Sequence, residues 1–123
     1  MNHNFMHGAV TVVTAFLLLI YVPMLVHYLR TRSRFLVDQP TLIAAGLSLE
    51  AFGVLLISGY RVIQSWTSGP HHMADLVTTI SLAFVVLGGL VLIHAATLKH
   101  GRWKYLLVLA ALASWTVFGL VVS

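Results

Sequence analysis

The chain has 123 residues, 59% of them hydrophobic and only 8% charged, whereas about a quarter of a water-soluble composition is charged. A soluble fold of this size could not hide that much apolar surface, and the absence of cysteine removes disulfide frameworks, thiolate metal sites and a cysteine nucleophile. The formal net charge of +4 does not point to nucleic acid, because six of the seven basic residues fall in two short segments flanking apolar runs, which is a signal of membrane topology.

The first apolar run extends from about Ala9 to Leu29, long enough to cross a hydrocarbon core of about 30 Å at about 1.5 Å per residue. It differs from a signal peptide: Met1 to Gly8 carries no Lys or Arg, the run is too long, and no small-residue cleavage site follows, so it is expected to be retained. Pro23 predicts a kink that frees the carbonyl near Leu19. Arg30, Arg32 and Arg34 open the basic segment 30–40, and Pro40 suits the first turn of the next helix, where a missing N–H costs nothing.

The second span is expected over 41–66 and carries Glu50 and Arg61 inside an otherwise apolar run. Eleven helical positions separate them, about 20° in azimuth and about 16 Å along the axis, so they share a face without touching. Gly46, Gly53 and Ile57 lie on that stripe, while Leu49, Phe52, Leu56, Tyr60 and Ile63 fill the opposite one. Small residues let helices approach closely, so the Glu50 stripe should face the bundle and the bulky face lipid.

Thr67, Ser68, Gly69 and Pro70 form a turn signal. A third span is expected over 76–98, a second basic segment over 99–104, and a fourth span over 103–123, with Trp66 and Trp103 at span ends where an indole suits the headgroup level. Gly88 in the third span and Ala110 and Ser114 in the fourth are candidate packing positions. Deep in the fourth span, Trp115 is expected to pack against protein. With no Lys or Arg in the other loop or at the termini, segments 30–40 and 99–104 should be cytoplasmic and both termini extracytoplasmic, in a bacterial-type inner membrane. The fold expectation is therefore all-α: one integral-membrane domain, 1–123, of four transmembrane helices with short loops, assembled with itself or with other membrane subunits.

A carboxylate near mid-bilayer costs several kcal/mol unless it is paired, hydrated or protonated, which makes Glu50 a functional candidate. Its alternative role is structural, hydrogen-bonded to Thr11, Thr14, Thr78 or Ser81. Arg61 stands within snorkelling reach of the interface, with Asp75 on the same side as a partner. Glu50-Ala51-Phe52-Gly53 resembles the Glu-x-x-Gly of the small multidrug resistance transporters, four-span proteins of similar length. The resemblance covers one tetrapeptide and implies a membrane glutamate that binds substrate and proton in competition; in that family the glutamate lies in the first span, and here it lies in the second.

The histidines admit two cofactor readings. His27 and His94 sit at similar depth near basic segments and would be the axial pair of a haem b, although no glycine on their stripes lets a porphyrin approach. His3, His7, His71 and His72, with Met6 and Met73, make a copper set of soft ligands on one side. Catalytic constellations are missing: Asp38, Glu50 and Asp75 are assigned to different depths and cannot form an acid and base pair, and no phosphate loop or hydrolase serine motif is present. The leading expectation is a small non-enzymatic membrane protein, a self-assembling pore or lesion former of the holin type without cofactor. A haem-binding accessory subunit using His27 and His94, and a proton-coupled transporter using Glu50, are the alternatives.

Overall fold

The computed structural model describes residues 3–31, 39–66, 74–98 and 103–122, with side chains described over 5–31, 39–64, 76–98 and 105–122. All four segments are helical: α1 (His3–Thr31), α2 (Gln39–Trp66), α3 (Ala74–Leu98) and α4 (Trp103–Val122). Each is long and apolar enough to cross a membrane. Three bounds lie close to those expected from hydropathy, but α1 starts at His3 rather than near Ala9. Hydropathy sees the apolar stretch of a helix, whereas backbone hydrogen bonds continue through Asn4 and His7, whose side chains do not prevent the turn from propagating. The helix also continues through Pro23, and Pro40 sits in the first turn of α2.

The helix that carries Glu50 is the axis of the bundle. In its membrane-length segment 61% of residues are buried, against 6% for α1, because α1 and α3 pack along α2 while hardly touching each other, and α4 closes on α3 and α2. Two apolar clusters hold α2, α3 and α4 together. Leu42, Leu92, Ala95, Ala96, Leu107 and Ala111 form one at the end where α1 and α3 finish. Val54, Ile57, Val85, Phe118 and Val121 form the other, nearer the end where α1 begins and α4 ends. Gln39 adds a polar tie at the first of these ends, donating from Nε2 to the Ala95 carbonyl at 2.9 Å.

Between the clusters, glycines bring α2 and α3 into backbone contact. A Cβ placed on Gly46 would lie 2.9 Å from the Gly88 carbonyl oxygen, one on Gly53 would lie 2.8 Å from that of Ser81, and one on Gly88 would lie 2.7 Å from that of Gly46. Those separations are too short for any side chain, so only glycine permits this approach. At the next position along α3, Gly89 accommodates the indole edge of Trp115, whose Nε1 donates to the Val85 carbonyl at 3.1 Å. The deep tryptophan thus packs on protein and pins α4 to α3.

On the opposite side of α2, Phe52 and Ile63 are exposed and Leu49, Leu56 and Tyr60 are partly so, whereas Gly46, Glu50, Gly53 and Ile57 are buried. The division between small and bulky faces read from the sequence is the division between inside and outside. Phe52 meets Phe84 of α3 edge-on, with ring centroids 5.0 Å apart.

Candidate functional site: a buried carboxyl beneath an apolar cavity

Glu50 lies between the two apolar clusters, 1% exposed. Its stem runs over Gly88, where an added Cβ would meet the Glu50 Cγ at 2.6 Å. The glycine on α3 is therefore what makes room for the acid on α2. Neither carboxyl oxygen has a hydrogen bond of acceptable geometry or meaningful exposure, and the Ser114 hydroxyl on α4 is the side chain that interacts with the group. Of Thr11, Thr14, Thr78 and Ser81, the partners expected from the sequence, none makes a hydrogen bond to the carboxyl. Thr11 and Thr14 bond within α1 and to Ser58, and the Ser81 Oγ is buried without a partner. Ser114 lies on α4, which lines the space beside Glu50 together with α1.

A cavity of about 430 Å³ adjoins the carboxyl. Its walls come from α1, α2 and α4, of which α1 and α4 barely meet. The lining is aliphatic except for Glu50, Thr14, Ser114 and Tyr21. A volume of that size falls within the range of small-molecule sites, which are mostly apolar with a few convergent polar groups. Its chemistry is narrow: one acid that accepts a proton or an opposite charge, two hydroxyls and a phenol that orient, and no base or nucleophile arranged against them.

Arg61 is placed differently. It reaches across the bundle end, donating from Nη2 to the Val122 carbonyl in the last turn of α4 at 3.2 Å and from Nη1 to Gln64 Oε1 at 3.4 Å. A cation at a helix C-terminus satisfies a carbonyl that the helix leaves unpaired and opposes its dipole favourably. The anchoring partner is thus the end of α4; the side chain of Asp75, the partner expected from the sequence, lies outside the described residues. Glu50 and Arg61 share the inward stripe of α2 but serve separate places.

The remaining candidates do not converge on one site. His27 and His94 are both exposed, on helices that barely meet, so they do not form the packed pair a haem would need. His7, expected among the exposed copper ligands, is 8% exposed and faces the bundle. The side chain of His3 and residues His71 and His72 lie outside the described residues. Among the described residues no three His, Asp or Glu side chains gather to hold a metal. Ala110 packs against the cluster at the Leu42 end and also lines the cavity.

One feature of α1 escapes hydropathy averaging. His7, Thr11, Thr14, Tyr21 and Tyr28 fall within a fan of about 100° on an ideal helix, and this is the side turned to α2. Among the described side chains of α1, His7 and Thr14 are the two buried ones, with Thr11, Tyr21 and Tyr28 partly buried, whereas His27 on the opposite face is exposed. The signal in the sequence is a seven-residue recurrence of hydrogen-bonding side chains at 7, 14, 21 and 28. Comparison with known protein families, with curated proteins and with solved structures finds no match to this chain.

Proposed function

We propose that the chain is inserted in a membrane through its four helices and binds a small, largely apolar molecule in the cavity beside Glu50, exchanging it against a proton. The observation that carries this reading is a buried acid, Glu50, adjoining a largely aliphatic cavity walled by α1, α2 and α4. In hydrocarbon an isolated carboxylate is costly. Protonation relieves that cost, and so does a ligand that brings a positive charge or a hydrogen-bond donor, so the two compete for one group. α1 and α4 barely meet beside the cavity, so a hydrophobic ligand would enter between them from the bilayer. Binding requires local movement, because both carboxyl oxygens are covered in this conformation. α1, whose helix contacts among the described residues are chiefly with α2, is the element suited to make it.

The self-assembling pore of the holin type uses Glu50 in another way. It requires the stripe to leave α3 and line water between copies, and contact between α2 and α3 at Gly46, Gly53 and Gly88 opposes that separation.

Purified protein in lipid nanodiscs, titrated calorimetrically with alkylammonium ions of increasing size, separates the readings. Competition predicts affinity that weakens as the pH falls, and a Glu50→Gln variant whose residual binding is independent of pH. Binding that is equally strong at every pH, or unchanged in Glu50→Gln, rejects the exchange mechanism. Collapse of the membrane potential and growth arrest on expression, abolished by Glu50→Gln, would instead support the pore.

A further inference from the structure

We propose that the groove between α1 and α2 that does not include Glu50 holds one acyl chain of an anionic phospholipid, whose phosphate meets Arg30 at the end of α1. The inference rests on the reading that the four helices cross a membrane, and it is independent of the chemistry at Glu50.

The groove has a volume of about 490 Å³ and is lined for hydrocarbon. Leu18, Val22, Leu25 and Leu29 form its α1 wall, spaced four, three and four residues apart, which keeps them on one stripe of a helix. Across from them α2 contributes the short side chains of Ala45 and Ser48, both buried, and their size leaves the groove its width. Ser48 is the one polar residue of the lining, and its hydroxyl is buried without a hydrogen bond. In a helix such a proton can turn to the carbonyl of the preceding turn, so hydrocarbon can cover it. A charged ligand would find nothing at that depth to pair with.

The length of the groove fits one leaflet. Eleven positions separate Leu18 from Leu29, about 16 Å along a helix, and half of a hydrocarbon core of about 30 Å is about 15 Å. A chain lying from Leu29 down to Leu18 therefore sets its headgroup at the boundary of the core, beside the last turn of α1.

Arg30 stands in that turn. It ends the row Val22, Val26, Arg30, spaced four apart along α1 and exposed throughout, and Val22 is itself part of the groove wall. Residues four apart on a helix are neighbours on one face, so Arg30 borders the mouth of the groove. Among the described side chains the one acid is Glu50, which is buried, so no carboxylate there answers the charge. A guanidinium matches the oxygens of a phosphate in pairs. Arg32 and Arg34, against Asp38, follow in the sequence outside the described residues and keep that end positive. The cavity beside Glu50 differs on this point: its α1 wall ends at Tyr21, more than two turns short of Arg30, so a lipid chain there would leave its phosphate inside the core.

Native mass spectrometry of protein released from nanodiscs with equal amounts of dioleoyl phosphatidylglycerol and dioleoyl phosphatidylcholine counts the lipids that stay bound. One phosphatidylglycerol should be retained in preference to phosphatidylcholine. Arg30→Gln should reduce that preference about five-fold, the effect of one basic residue beside an anionic headgroup, and Arg102→Gln, which removes a charge from the other basic segment, should leave it unchanged. Ser48→Leu fills the floor of the groove and should lower retention with Arg30 intact. Should Ser48→Leu unfold, Val22→Trp, from a position 43% exposed, carries the same expectation. Equal retention of the two lipids, equal losses in Arg30→Gln and Arg102→Gln, or wild-type retention in the groove-filling variants overturns the site. Displacement of the lipid by soluble glycerol phosphate overturns it too, because the phosphate would then be held without the chain. Protein that stays dispersed in buffer without detergent or lipid refutes the membrane-spanning reading and the lipid site together, whereas protein that requires them yet retains both lipids alike refutes the lipid site alone.

Discussion

α2 has two long neighbours, and it meets them by opposite means. Toward α3 it presents Gly46 and Gly53 to Gly88 and the Ser81 backbone, and the helices approach until no side chain fits between them. Toward α1 it presents Ala45, Ser48, Leu49, Ala51 and Val54, which leave an apolar groove near Leu18, Val22 and Leu25 on one side and the Glu50 cavity on the other. Close backbone packing maximises dispersion contacts and fixes register, whereas looser packing through hydroxyls and longer side chains leaves space and alternatives. The α3 side builds the rigid body, and the α1 side is where a ligand or a proton finds room.

The strongest way to break that contrast is to fill the seam. Gly88→Leu places a side chain against the Gly46 carbonyl and the Glu50 backbone nitrogen, and a loss of about 3 kcal/mol is expected, at the upper end of overpacking costs. Reversible unfolding in mixed micelles measures it, and wild-type stability would show that the seam is not tight. The reverse change on α1, Leu18→Ala, should cost clearly less, because that side chain borders a groove rather than a filled core.

Next in size is Trp115. Trp115→Ala removes an indole packed on Gly89 and its bond to the Val85 carbonyl, and a loss of about 2 kcal/mol is expected for a half-buried aromatic. It should loosen α4 from α3 and leave the contact between α1 and α2 unchanged, which cysteine cross-linking rates across both interfaces would show.

Arg61→Met removes the hydrogen bond that ties α2 to the end of α4 and the one to Gln64 within α2. About 1 kcal/mol is expected, since the guanidinium is only partly buried. Hydrogen exchange should rise in the last turn of α4 alone, and a uniform rise would mean that Arg61 supports the whole bundle. Smallest of all is Gly59→Ala, where nothing lies within 4 Å of an added Cβ. There the helix should gain about 0.5 kcal/mol, because alanine restricts the unfolded chain without meeting a neighbour. Opposite signs at Gly88 and Gly59 in one helical bundle would sharpen the distinction between glycines that permit contact and those that do not.

Much of this architecture is legible without coordinates. The four helices follow from apolar runs separated by Gly, Pro and basic residues, and the inward face of α2 follows from the segregation of small residues around Glu50, because helical periodicity converts spacing into azimuth. The roles of Glu50 and Arg61 separate on the same ground. The polar row of α1 was also present in the sequence, at 7, 14, 21 and 28, but hydropathy averages it into an apolar mean and only the direction of burial gives it meaning.

Partner choice is another matter. Nothing in the spacing of residues says that Ser114 rather than Thr14 or Ser81 meets Glu50, that Arg61 caps α4, or that His7 turns inward. Each depends on which helix stands beside which, and four apolar helices of similar length can be arranged in several orders with similar burial. The sequence by itself determined the elements and the face each one hides, because those are set by local hydrogen bonding and by periodicity. Tertiary structure decided that α3 closes on the glycine side of α2 and α4 packs mainly on α3, while α1 runs along α2 with little contact to either, because glycine contact and the seating of Trp115 on Gly89 depend on three-dimensional fit. That choice is what places a cavity, rather than packed protein, beside the acid.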